Sequence, residues 1–243
     1  MKKKVLNKKI GDLKNTPENI LANPYSFKRP KVTGPYTSIY LIRHCHPAYE
    51  LQEQLGDLKM PLSGIGSHQR GFLIKKLLTL GIDKIYASQF RRSKMTAQPL
   101  AEALKLHPVI DRRLNEINWE NWYKIKYFNM SDKTRVRRIK NYRQMEKELD
   151  KTQVSARRLL ADIYEKNKNK KIAVFCHGNL IRSILTGILN ADVIGFLSME
   201  IYQSSISKLV IDADGYVKIN YINNIGHLPH RPYEDLFMAS INQ

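Results

Sequence analysis

The chain has 243 residues, long enough for one large domain or two small ones, and its 42% hydrophobic content can fill a sizeable core. Its 41 Lys and Arg against 22 Asp and Glu give a formal charge of +19, which draws anions of any kind, from phosphate esters to nucleic acid and acidic lipid. No apolar run approaches the roughly 18 residues of a membrane helix, no apolar stretch follows the Lys-rich start, and Cys45 and Cys176 cannot build a disulfide framework; these features argue against a transmembrane or secreted chain and make the cytoplasm the expected compartment.

Residues 1–36 are polar and basic, and Pro17, Pro24, Pro30 and Pro35 break any long helix, so an arm is expected that is disordered or laid over the surface. One domain then occupies 37–243. The apolar run Ile39, Tyr40, Leu41, Ile42 reads as a buried strand. Ser63 is a helix N-cap candidate, and the helix behind it is expected to bury Ile65, Phe72, Leu73, Leu77 and Leu80. A short strand at Lys84 to Ala87 and a helix from Arg91 to Leu104 continue the alternation.

Aromatic and basic residues from about 119 to 152, among them Arg135, Arg137, Arg138, Lys140 and Arg143, interrupt this rhythm and read as an insertion or cap. A helix burying Ala156, Leu160, Ile163 and Tyr164 follows, then a strand at Ile172 to Cys176 and a helix at Leu180 to Leu189. Ile206 to Ile211 and Tyr216 to Ile222, joined by Asp212-Ala213-Asp214-Gly215, read as a β-hairpin. The pattern predicts an α/β three-layer sandwich, a mostly parallel sheet flanked by helices, with its site at the carboxyl ends of the strands.

Two predicted strands end in histidine: Arg43 and His44 close the first, and His177 with Gly178 closes a later one. Either histidine alone is as well explained by a satisfied buried side chain. Around them LIRHCHP resembles the strand-Arg-His-Gly signature of the histidine phosphatase superfamily, the clan that includes phosphoglycerate mutase, and PLSGIGSHQ resembles that family's next helix start. ASQFRRSKMTAQPLAEAL resembles its Ser-Pro-Leu-x-Arg block and aligns Ser88 and Arg92, the Thr96-Ala97 register favouring Arg92 over Arg91. LNEINWENW aligns Glu116 with the family's acid, VFCHGN matches the second His-Gly, and NNIGHL resembles the closing pattern. The chain departs from the family at Cys45 in place of Gly, Gln89 in place of Pro and Ser93 in place of Ala. At Pro47 and Glu50 mutases carry residues of a longer signature.

The resemblance implies a phosphoglycerate mutase-like fold and a phosphatase acting on phosphate monoesters, with His44 as nucleophile, Glu116 as acid and base, His177 beside them, and Arg43, Arg92, Ser88 and Gly178 binding phosphate. It implies no cofactor and no metal. Elementary chemistry agrees, because phosphoryl transfer needs cations and donors fixed around three equatorial oxygens, which arginine forks supply. An anionic phosphorylated small molecule is thus the expected partner. Two other readings stay open: a catalytically silent relative that binds phosphorylated or nucleic-acid ligands through its basic regions, and a phosphomutase. A metal site on His44 and His46 lacks further ligands at a recognisable spacing.

Overall fold

A computed structural model describes residues 34–117 and 142–229. Residues 1–33 of the expected arm, the part of the basic insertion from 118 to 141, and the end of the chain beyond 229 lie outside the described residues. Six strands form one sheet in the order β3-β2-β4-β1-β5-β6: β1 is Thr37–Arg43, β2 Lys84–Ala87, β3 Val109–Ile110, β4 Lys171–Cys176, β5 Ile206–Ile211 and β6 Val217–Asn224. The first four run parallel, and the hairpin β5–β6 adds antiparallel to β1. Gly215, at φ +86°, closes the hairpin turn, and Asp212 Oδ1 accepts from the backbone of Asp214 and Tyr216.

The helices among the described residues are α1 (Gln52–Leu55), α2 (Gly64–Leu78), α3 (Arg91–Leu104), α4 (Tyr142–Lys166), α5 (Gly178–Leu189) and α6 (Val193–Leu197). Alternation along the strands sorts the core onto two faces. Tyr40, Ile42, Ile85, Ala173 and Phe175 pack against Leu73 and Leu77 of α2 and Leu100 of α3. Ile39, Leu41, Ile172 and Val174 pack against Ala156, Leu160 and Ile163 of α4 and Ile181 and Ile184 of α5. The three-layer α/β sandwich expected from sequence is therefore the fold. Among the described residues no helix is long and apolar enough to cross a membrane.

Ser63 caps α2 by accepting the Gly66 N–H at 3.1 Å, as expected. The expected core list for that helix needs correction, because Ile65 is 62% exposed and Phe72 37%. The inner stripe runs through Gly66, Leu73 and Leu77, with Leu80 partly buried; Ile65 and Phe72 each sit one position off it, turned about 100° toward solvent. Helix α4 begins at Tyr142 and so absorbs residues 142–152, which the sequence reading gave to the insertion. Met145 and Leu149 pack on Val193 and Phe196 of α6 and Glu146 Oε1 accepts the Val193 N–H at 2.9 Å, while the other charges of this stretch face outward. The two-residue β3 and the short α6 carry too little pattern to be seen in sequence.

Pro99 lies inside α3 and cannot donate to the carbonyl of Met95. Arg70 Nη1 of α2 donates to that carbonyl at 3.0 Å and so ties the two helices together. Truncating the fully buried Leu73 to Ala should cost about 2–5 kcal/mol, whereas Ile65→Ala should cost less than about 0.5 kcal/mol, as read from urea unfolding midpoints.

Candidate active site

β1 and β4 pair in a register that sets Arg43 beside Cys176, and the His44 N–H continues the ladder to the Cys176 carbonyl at 3.0 Å. His44 and His177 therefore leave the sheet side by side, their ring centroids 5.0 Å apart. β2 ends next to β4, and Ser88, the residue after it, donates its N–H to the Phe175 carbonyl at 3.1 Å. The carboxyl edge of three strands thus brings His44, His177 and Ser88 together.

The hydrogen bonds define the protonation of both rings. Arg92 Nε, a donor only, reaches His44 Nε2 at 3.2 Å, so that nitrogen presents a lone pair and Nδ1 carries the proton donated to the Cys45 carbonyl at 2.8 Å. The Ser88 hydroxyl lies 2.7 Å from His177 Nε2 and accepts the Phe90 N–H. With the Ser88 proton given to Nε2, the hydrogen of His177 stands on Nδ1. That buried Nδ1, like the buried Nε of Arg43, has no hydrogen-bond partner among the described residues. Two buried polar atoms of the site thus meet no acceptor among the described residues.

Electrostatics reinforce this picture. Burial, then His177, Arg92 and Arg43, hold His44 well below the usual histidine range; burial, Arg92 and Arg43 do the same for His177. Both rings are neutral in the fold. Glu116 follows the turn Arg112–Leu114, and its carboxyl is pushed up by burial against the pull of Arg43, the Ile117 N–H, Arg92 and the Asn179 N–H. Gly178 lies against the Arg43 guanidinium, whose Cζ is 3.3 Å from where a Cβ would stand. A side chain there would make the Arg43 guanidinium give by a few tenths of an ångström.

Several further residues hold these groups in place. Asn115 Oδ1 accepts the Gln89 N–H at 3.0 Å and its amide donates back to Gln89 Oε1 at 3.2 Å, a clasp that fixes the segment before Glu116. A proline at position 89 would have no N–H to give, so this departure from the family pattern has a local use. Ser93, the other departure nearby, donates to the Phe175 carbonyl and accepts from the Ser88 N–H. His227 of the closing segment bonds Ser204, whose N–H reaches the carbonyls of Arg43 and His44. Cys45 packs in the core with Leu62 and Leu73, and its backbone is not left-handed, so the residue neither fills the site nor strains the turn. Burial pushes its thiol up to about 12 and that of Cys176 up as well.

Arg92, only 4% exposed, stacks over Phe90 and gives its outer edge to Asp57: Nη1 lies 2.8 Å from Oδ1 and 2.7 Å from the Asp57 carbonyl, and Nη2 lies 3.3 Å from Oδ2. Nothing in the sequence singles out Asp57. His46 is occupied by Ser63 and Tyr49, and among the described residues no group of three His, Cys, Asp or Glu is placed to hold a metal ion.

Residues 39–224, more than three quarters of the chain, match the model of the histidine phosphatase superfamily, branch 1. The chain belongs to this superfamily. A probable phosphoglycerate mutase of Enterobacter sp. (strain 638) is 23% identical to it over 211 residues, covering 82% of this chain and 98% of that one. A probable phosphoglycerate mutase of Yersinia enterocolitica is 31% identical over 81 residues, covering 33% of this chain and only 38% of that relative's length. Among solved structures, a phosphoserine phosphatase mutant from Entamoeba histolytica in complex with phosphoserine superposes with a TM-score of 0.62 at 19% identity, covering 79% of this chain and 100% of the other. That likeness shows the histidine phosphatase fold.

The neutral histidines make a prediction. Unfolded histidine takes up a proton below about pH 6.5 while His44 and His177 stay neutral in the fold, so stability falls with pH in that range. Glu116 acts with the opposite sign, its folded form holding a proton above the pH at which the unfolded carboxyl releases it. In His177→Gln one uptake site is gone and the Glu116 contribution is retained. The fall in unfolding free energy between about pH 6.5 and 5 should become shallower than in the wild type by up to about 1.4 kcal/mol per unit. Equal slopes in urea titrations would show that His177 is protonated in the fold.

Proposed function

We propose that this protein hydrolyses phosphate monoesters through a phosphohistidine formed on His44. The observation that carries the reading is the unprotonated Nε2 of a buried His44, bonded by Arg92 Nε and accompanied by a His177 Nδ1 that has no partner among the described residues. An ester phosphate seated there meets two arginine cations and a ring donor, and once the Arg92 Nε–H turns from His44 Nε2 to a phosphate oxygen the freed lone pair faces the phosphorus. Attack forms the nitrogen–phosphorus bond as the bond to the ester oxygen breaks. Glu116, its carboxyl pushed up by burial, gives its proton to the departing alcohol. Water then attacks the phosphohistidine while Glu116 takes a proton from it, releasing inorganic phosphate and restoring His44. Ser88 holds the His177 tautomer, and Gly178 leaves room for Arg43.

Hydrolysis is favoured over transfer to a second alcohol by the departures at Pro47 and Glu50; Pro47 is buried in a bridge to Leu62 and Glu50 is exposed. Glu116→Gln tests the acid. It should slow the first step by about 10² to 10⁴ for alkyl phosphates and far less for nitrophenyl phosphate, whose leaving group needs no proton. Equal single-turnover losses for both would remove Glu116 as the donor. The nucleophile is tested by rapid quench: the wild type should yield acid-labile, base-stable phosphate on His44, and His44→Ala should fold yet neither label nor turn over. Turnover without labelling would overturn the covalent route.

A further inference from the structure

The seat assigned to phosphate is already partly taken. Carboxylate and phosphate compete for the same planar arginine fork, and Asp57 holds the outer edge of Arg92 through both carboxylate oxygens. The segment that delivers it is built for that placement. Its base is pinned by the Pro47–Leu62 bridge, with the Ala48 N–H on the Pro61 carbonyl and the Ser63 N–H on the His46 carbonyl. Between these points no residue from Tyr49 to Lys59 is buried, so little packing holds the excursion down.

Gly56 stands at φ +72° and ψ 159°, a region open essentially to glycine alone, although a Cβ there would touch nothing within 4 Å. Backbone conformation alone therefore explains glycine at this position, and what that conformation does is turn Asp57 toward Arg92. The aspartate is otherwise a surface residue, its side chain 47% exposed against 5% for that of its partner. An ordinary exposed ion pair would have little effect on binding. This one engages a buried arginine bonded to His44.

Resting on the phosphate-binding role given above to Arg92, we propose that Asp57 is a specificity-determining residue that competes with substrate for the Arg92 fork. A phosphate ester must displace its carboxylate to bind. Once displaced, the carboxylate remains tethered at the mouth of the site and disfavours esters that carry a further anionic group, relative to esters with a neutral or cationic remainder.

Asp57→Asn tests both statements, with Asp57→Ser as a second variant if the first melts early. Titration calorimetry with inorganic phosphate should show affinity raised roughly tenfold over the wild type, since the competing charge is removed from a bidentate pair. KM for glycerol 3-phosphate should fall, KM for 3-phosphoglycerate should fall further, and kcat should change much less than either. If Asp57 instead merely steadied Arg92, phosphate binding would weaken in both variants, and that outcome, or an unchanged affinity, would overturn the competition. Equal changes in KM for the two esters would overturn the selectivity. Calorimetry reads the seat without turnover, so tighter phosphate binding in a protein that never labels His44 would count against the covalent mechanism and leave this inference standing. Failure of both wild type and variant to bind phosphate would overturn it.

Discussion

Because β1 and β4 run parallel in a register that places Arg43 opposite Cys176, the residues that follow them leave the sheet at one edge, in step. The candidate site is arranged around that coincidence. A slip of one residue would move Ile39, Leu41, Ile172 and Val174 off their helices and would turn the histidines to opposite faces. The two faces of apolar packing that fix the fold are thus the same force that holds two imidazole rings 5.0 Å apart. Beside them β2 contributes Ser88, and β3, short as it is, carries the chain through Asn115 to Glu116.

Depth in the fold decides what those rings are. Two arginines near two histidines in a buried pocket leave no room for a further cation, so the imidazoles shed their protons, and hydrogen bonds sort the remaining hydrogens to opposite purposes. His44 offers a lone pair while His177 offers a hydrogen. The same burial pushes the carboxyl of Glu116 up and closes off the thiol of Cys45, whose closeness in sequence to Arg43 would suggest a reactive thiolate. Proximity in sequence says little about reactivity when the thiol itself is packed into the core.

Much of the architecture was legible beforehand. Lys84–Ala87 and Arg91–Leu104 stand where their patterns placed them, and the closing hairpin matches its turn residues, because apolar runs and turn chemistry are local signals. The strand ends carrying His44 and His177 were visible in the same way, and the family's motifs pointed to Glu116 and to Arg92, which bonds His44. What escaped depends on tertiary context. Ile65 and Phe72 are as apolar as Leu73, and only the docked orientation of α2 decides which is inside. Asn115, Gln89 and Ser204 act through partners distant in the chain, and Asp57 is one carboxylate among many until Gly56 turns it. Position 45 deceives differently: a residue foreign to the family pattern lies in the core, away from the site.

The proline within α3 carries an evolutionary consequence. Its missing N–H leaves the Met95 carbonyl dependent on Arg70, so the fitness of either residue is conditional on the other. With Pro99 present, losing Arg70 strands a partly buried acceptor; with an ordinary residue at 99, the helix would satisfy that carbonyl itself and Arg70 would be free to drift. Substitutions at the two positions should therefore be tolerated in one order and not in the other. A lineage that first regained a helical N–H at 99 could afterwards uncouple the helix bearing Arg92 from the one that follows the Asp57 excursion.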